Sequence, residues 1–178
     1  MTSDVLIDME RSHVLFLGGR SGVGKTSVAM ELHHLLSAAD VQHSVIEGDT
    51  LDLAYPAPWA HHLAERNLAD LWRNYRALGY RRLIYTNTVS VLETETLAAA
   101  MGDDPLVTAV LLTSSEAAAR ERLTGRERGS DLQASLERSA RRAAELDATA
   151  PEWVRRLNTD GQSLDTLARQ LWAWAGWP

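Results

Sequence analysis

The chain has no cysteine, one phenylalanine and a single lysine among its 178 residues. Without thiols it can form neither disulfides nor thiolate metal sites, and it suits a reducing cytoplasm. No apolar run approaches the roughly 20 residues needed to cross a bilayer, so no membrane partner is expected. The amino terminus lacks the basic, apolar and small-residue succession of a secretion signal. Met9 is a candidate second start, which makes residues 1–10 a candidate loose extension. Basic residues number 18 against 24 acidic, and the net charge of −6 argues against nucleic acid as a partner. What is left is 45% hydrophobic and 24% charged, the composition of an ordinary globular protein. The length fits one domain, 1–178, monomeric or homodimeric, with a core that needs no staples.

The scarcity of lysine matters because of where the one lysine stands. Lys25 lies in Gly19-Arg20-Ser21-Gly22-Val23-Gly24-Lys25-Thr26, a complete Gly-x-x-x-x-Gly-Lys-Ser/Thr phosphate loop. A compact ammonium on a flexible stem suits a nucleotide phosphate, and arginine carries the fixed positive charge elsewhere. The apolar run His13–Leu17 reads as a buried strand entering the loop. Val28, Ala29, Leu32, Leu35 and Leu36 give the spacing of a helix leaving it. The glycines let successive N–H groups point at phosphate oxygens, and the helix amino terminus adds its positive end. The nucleotide contacts expected are Gly19, Ser21, Gly22, Val23, Gly24, Lys25, Thr26 and Ser27, with Lys25 on the β- and γ-phosphates and the Thr26 hydroxyl on Mg2+.

Further strands are expected at Gln42–Ile46, Arg82–Tyr85, Leu106–Leu112 and, weakly, Trp153–Leu157. Helices are expected over His61–Leu78 (buried stripe Leu63, Leu68, Leu71, Trp72, Tyr75), Val91–Met101, Ser115–Leu123, a capped stretch from Ser130 to Ala148, and Ser163–Trp174. This alternation predicts an α/β, doubly wound sheet of five parallel strands in a P-loop fold, with ligands at the carboxyl ends of the strands.

Those strand ends supply the other candidates. Glu47-Gly48-Asp49 follows the second strand, and two carboxylates one residue apart can divide the labour of phosphoryl transfer. Asp49 is the expected base and hydroxyl anchor, and Glu47 the support for the metal's water shell. The segment 120–131 packs arginines between glycines and reads as a lid rather than a regular helix. Within it Arg126 is the first choice for the γ-phosphate, Arg128 the second, and Arg122 is placed against the base. Asn158-Thr159-Asp160-Gly161 follows the fifth strand. Asn158 and Asp160 either line the adenine pocket or form an ordinary left-handed turn. Asn87 stands where many P-loop ATPases carry an Asp. The pairs His33-His34 and His61-His62 lack zinc-ligand spacing and read as surface or pocket-edge histidines. Trp172, Trp174 and Trp177 read as packing.

With these features in this order, residues 12–175 resemble the small P-loop kinases: shikimate, gluconate and adenylylsulfate kinases, chloramphenicol phosphotransferase and the tunicamycin-resistance proteins. The resemblance implies an ATP-dependent phosphotransferase acting on a hydroxyl of a small molecule, a metabolite or an antibiotic, with Mg2+. It assigns Lys25 and Thr26 to phosphates and metal, Asp49 to the acceptor and Arg126 to the lid. Asp52 replaces the histidine of the gluconate kinase motif, and no second lysine exists to build a GTPase base signature. The alternatives are a nucleoside or nucleotide kinase and an ATP-binding regulator without an acceptor.

Overall fold

The computed structural model describes residues 11–126 and 132–178. The amino-terminal extension, Arg128 and the Ser130-Asp131 part of the expected cap lie outside the described residues. The order is β1 (His13–Gly18), α1 (Lys25–Ala38), β2 (Ser44–Glu47), α2 (Leu63–Ala77), β3 (Arg82–Thr86), α3 (Thr94–Met101), β4 (Leu106–Thr113), α4 (Glu116–Arg126), α5 (Leu132–Thr149), β5 (Arg155–Asn158) and α6 (Leu164–Ala175). The strands form one five-stranded sheet in the order β2-β3-β1-β4-β5, every pairing parallel. The expected doubly wound architecture is therefore present.

Period-two alternation along the central strand divides the core. Leu15 and Leu17 of β1 face α1 and α6, in a cluster with Leu32, Leu36, Leu167 and Leu171. Val14 and Phe16 face the other side, against Leu68 and Trp72 of α2, Leu97 of α3 and Leu146 of α5. Burial on both faces is why β1 is continuously apolar rather than alternating. At the sheet edge β5 buries only Leu157, while Arg155 and Arg156 stay exposed and discourage pairing with another chain. Arg155 lies over the Trp174 ring at 5.2 Å, and Trp172 Nε1 donates to the Trp177 carbonyl at 3.0 Å, so these tryptophans do pack.

Four features differ from expectation. A 3-10 turn, Trp59–His61, precedes α2, and His62 has a left-handed backbone (φ 48), so the helix starts at Leu63. Leu71 is 39% exposed, because the buried stripe of α2 runs through Leu68 and Trp72 and Leu71 lies on its flank. Residues 90–93 make turn bonds, Leu92 N–H to Val89 O and Glu93 N–H to Ser90 O, which delays α3 to Thr94. Arg120 to Arg126 is helical, with Gly125 inside α4. The described part of the expected lid is thus a regular helix, contrary to the loop expected from its glycines. Helical i→i+4 bonding tolerates one glycine at a cost of about 1 kcal/mol.

Candidate active site

The phosphate loop joins β1 to α1 at the carboxyl edge of the sheet. Its last glycine, Gly24, caps α1 at φ 103, a left-handed conformation costly for any residue with a Cβ. Lys25 Nζ donates to the Gly19 carbonyl at 2.7 Å and lies 3.4 Å from the Arg20 carbonyl and 3.5 Å from Thr88 Oγ1. The ammonium is thereby held over the loop's own curve. The Thr26 hydroxyl donates to Glu47 Oε1. Two residues picked out as metal-side candidates, one in the first turn of α1 and one at the end of β2, are in contact. Among the described residues no group of three or more His, Asp or Glu is placed to hold a metal ion. A cation here needs the phosphates of a nucleotide as further ligands, which is how magnesium is commonly bound.

Behind the loop lie two arginines. Arg122 Nη1 on α4 donates to Val23 O (3.1 Å) and Thr159 Oγ1 (3.1 Å), with Gly22 O at 3.4 Å. Arg122 therefore ties the back of the loop to the Asn158–Gly161 turn. In that turn Asn158 Oδ1 accepts from Asp160 N–H at 2.7 Å, and Asp160 Oδ2 accepts from Ser115 N–H at 2.7 Å. Both side chains are engaged in shaping the turn, and Asp160 Oδ1 is buried without a partner among the described residues. Arg20, the second residue of the motif, is buried and its Nε donates to Ser139 Oγ at 2.9 Å, while Ser139 donates to Ser21 O at 2.9 Å. These bonds anchor α5 to the loop.

Asp49 sits in a 3-10 turn, Gly48–Thr50, directly after β2, and its Oδ1 accepts from Thr88 N–H at 3.4 Å. The turn depends on Gly48, since a Cβ there would lie 2.2 Å from the Tyr85 hydroxyl oxygen. Three cavities adjoin in this region, and Asp49 lines two of them. One of about 230 Å³ is lined by the phosphate loop, Lys25, Thr26 and Asp49. A second of about 540 Å³ is lined by Ser21, Thr88, Ser135, Arg138, Ser139, Arg141, Arg142 and Glu145. The third, about 660 Å³, includes Asp49, Asp52, Trp59, His62, Glu65, Tyr85, Thr88, Glu93 and Arg142 in its wall. Asp49 belongs to the first and third, and Thr88 and Arg142 to the second and third.

Electrostatics in the third cavity follow from burial and like charge. Burial raises the Tyr85 phenol above its ordinary range, and Asp49, Glu93, Asp52 and Glu65 add to the shift. Burial also raises the Glu93 carboxyl, reinforced by Glu65 and Asp52 and opposed by Arg142.

Arg138, Arg141 and Arg142 were not among the sequence candidates. The signal existed: Ser135, Arg138, Ser139 and Arg142 recur at i, i+3, i+4 and i+7 on α5, a polar stripe facing the loop. The Arg126 backbone ends α4; its side chain, like all of Arg128, lies outside the described residues. Of the histidines, His62 lines the third cavity, and His33 Nδ1 meets His43 Nε2 at 2.8 Å away from it. Asn87 Oδ1 accepts from Val89 N–H at 2.8 Å, shaping the loop after β3.

The adenylylsulphate kinase family model matches residues 11–69, the span from β1 into α2. Among solved structures, the tunicamycin resistance protein of Deinococcus radiodurans is similar with a TM-score of 0.66 at 22% identity, covering 94% of this chain and 98% of that one. The APS kinase of Mycobacterium tuberculosis, in complex with AMPPNP and APS, gives 0.59 at 20% identity over 93% and 98%. A gluconokinase of Sinorhizobium meliloti gives 0.57 at 18% over 94% and 93%. No curated protein matches the chain by sequence. In fold over nearly its whole length, and in family match over residues 11–69, the chain is similar to the small P-loop kinases.

Proposed function

We propose that the protein is an ATP-dependent phosphotransferase that phosphorylates a hydroxyl of a small molecule. The observation that carries this reading is Asp49, which lies in the walls of both the phosphate-loop cavity and the 660 Å³ cavity beside it. A nucleotide-binding regulator needs the first cavity alone. The second has the size of a small-molecule site and opens on the place where a γ-phosphate on the loop would end.

In the reaction the acceptor oxygen bonds to the γ-phosphorus as the bond to the β–γ bridging oxygen breaks, and its electron pair leaves with ADP. Asp49 orients the acceptor hydroxyl and receives its proton. Lys25 and the loop amides hold the phosphates, and the arginine face of α5 supplies charge that matters most in the transition state. Thr26 and Glu47 fit a magnesium ion carried by the nucleotide, which would neutralise phosphate charge. Arg126 and Arg128 remain candidates for closing over the nucleotide.

The test is transfer of the γ-phosphoryl group of labelled ATP to organic phosphate across a panel of hydroxylated metabolites and antibiotics. Transfer should require Lys25 and Asp49, and Asp49→Asn should retain MgATP binding. Loss of MgATP binding on mutating Asp49, or transfer indifferent to Asp49, refutes the assignment.

A further inference from the structure

The proposed acceptor cavity carries more negative charge than a phosphoryl acceptor site requires. Asp49 suffices to receive one proton, yet Asp52, Glu65 and Glu93 line the same wall. They arrive from separate elements: Asp49 and Asp52 from the segment after β2, Glu65 from α2, and Glu93 from the residue capping α3. Their convergence is a product of the tertiary fold, not of a local acidic run.

The cations on the wall do not balance them. Arg142 already pairs with Glu145 at 2.7 Å, and His62 meets Glu65 at 3.3 Å. The Asp52 and Glu93 carboxylates make no ion pair or hydrogen bond among the described residues.

An independent observation comes from Tyr85. It is 1% exposed, its side chain lines this cavity, and the four carboxylates all act on its phenol. The hydroxyl makes no hydrogen bond among the described residues. The residue is buried apart from the cavity it lines, so its hydroxyl is a group placed to meet a ligand atom there. At the rim, Trp59 is 75% exposed and offers a face to a cation or to the C–H edge of a saturated ring.

Building on the phosphotransferase reading, we propose that the acceptor is a polyhydroxylated molecule bearing protonated amines, an amino sugar or aminocyclitol by chemical class. Asp52, Glu65 and Glu93 receive its ammonium groups, Tyr85 meets one of its polar atoms, and Asp49 takes the reacting hydroxyl. Sugar acids and other anionic acceptors would add a like charge to this wall and are excluded by it. A neutral polyol would satisfy Tyr85 but leave the carboxylate repulsion in place.

The experiment uses the full chain loaded with Mg2+ and AMPPNP and three ring or chain probes: 2-deoxystreptamine, myo-inositol and gluconate. Calorimetry should find 2-deoxystreptamine bound about tenfold or more tightly than myo-inositol, a preference that shrinks as salt is raised, with gluconate weakest. The double variant Asp52→Asn, Glu93→Gln should erase the preference while AMPPNP affinity stays unchanged, which also shows that the variant folds. A dication bound no better than myo-inositol, or a preference that survives the double variant, overturns the proposal. Failure of the phosphotransferase reading looks different: AMPPNP would bind, but no hydroxylated probe would be phosphorylated from ATP, or transfer would be indifferent to Asp49. Asp49-dependent phosphorylation of a neutral or anionic molecule in preference to its amino analogue would keep the kinase and remove the cationic acceptor.

Discussion

The Thr26 hydroxyl donates a hydrogen bond to the Glu47 carboxylate, joining the first turn of α1 to the end of β2 across the mouth of the phosphate loop. Both are oxygen donors of the kind magnesium prefers, and no third acidic or histidine ligand joins them among the described residues. The pair is suited to a cation that brings its remaining ligands with it.

Glu47→Gln should therefore weaken metal affinity, and so raise the magnesium requirement, rather than abolish nucleotide binding. The hydrogen bond from Thr26 survives on the amide oxygen, but the charge facing the ion is lost. The Mg2+ concentration for half-maximal AMPPNP binding should rise by about 10- to 100-fold, the usual cost of a lost supporting group. A magnesium titration followed by calorimetry measures it, and an unchanged midpoint removes Glu47 from the metal site.

Because Lys25 is the sole lysine, an ATP-derived acyl phosphate should acylate a single side-chain amine. Mass spectrometry should place the label in the peptide containing Lys25, and excess MgATP should protect it. Lys25→Ala should lower turnover by about 10² or more, the scale for removing one preorganised electrostatic contact. Labelling indifferent to MgATP contradicts the loop's role.

The phosphate loop, five strands and their winding were legible because each rests on local pattern: apolar runs for strands buried on both faces, and a motif flanked by strand and helix. The placement of Glu47 and Asp49 was legible for the same reason, since both stand at a strand end. The arginines of α5 were not, because glycine-flanked charge in 120–129 was the stronger linear signal. Which face of α5 meets the loop is decided by Arg20 and Ser139, two residues far apart in sequence. The proposed acceptor cavity was illegible for a similar reason. Asp52, Glu65, Tyr85 and Glu93 become neighbours only once β2, α2, β3 and α3 have packed.

Gly48 is where backbone and side chain approach too closely for any other residue. An added Cβ would sit 2.2 Å from the Tyr85 oxygen and 2.3 Å from its Cζ, and Tyr85 is buried edge-to-face against Phe16 with ring centres 5.6 Å apart. Gly48→Ala should cost about 1–3 kcal/mol, the range for overpacking a well-filled core. It should also displace Asp49 and depress transfer. Urea unfolding and a transfer assay read the two effects, and a variant of wild-type stability contradicts the close approach.

Glu93 gives a pH-dependent expectation. Its folded carboxyl titrates above the ordinary value because of burial and the nearby Glu65 and Asp52. The folded state then binds the proton more tightly than the unfolded chain. This contribution is fully present below the unfolded pKa and is lost as pH rises through the raised folded one. At neutral pH Glu93 carries the resulting penalty, so Glu93→Gln should raise Tm there. The gain should shrink as pH falls through the carboxylate range. Melting curves across that range check the sign, and a Tm gain that grows toward acid pH is the contrary result.

Arg142 stands between the two halves of the proposed reaction. It lines the cavity beside Ser21 and Thr88 of the nucleotide side and the cavity holding Asp49 and Asp52. Its guanidinium is tethered by Glu145 at 2.7 Å, which holds it near both without neutralising a phosphate site. Charge developing on the transferring group should be met most strongly here, so Arg142→Ala should reduce transfer by about 10²–10³. MgATP affinity should change little, because the loop amides, Lys25 and Thr26 are untouched. Stability should change little as well, since the pair with Glu145 is a partly exposed i,i+3 contact worth at most about 1 kcal/mol. Single-turnover transfer and AMPPNP calorimetry on Arg142→Ala, beside Arg126→Ala, separate the possibilities. Equal losses in binding and transfer would make Arg142 a plain nucleotide contact. A larger transfer defect in Arg126→Ala would return the transition-state role to the end of α4.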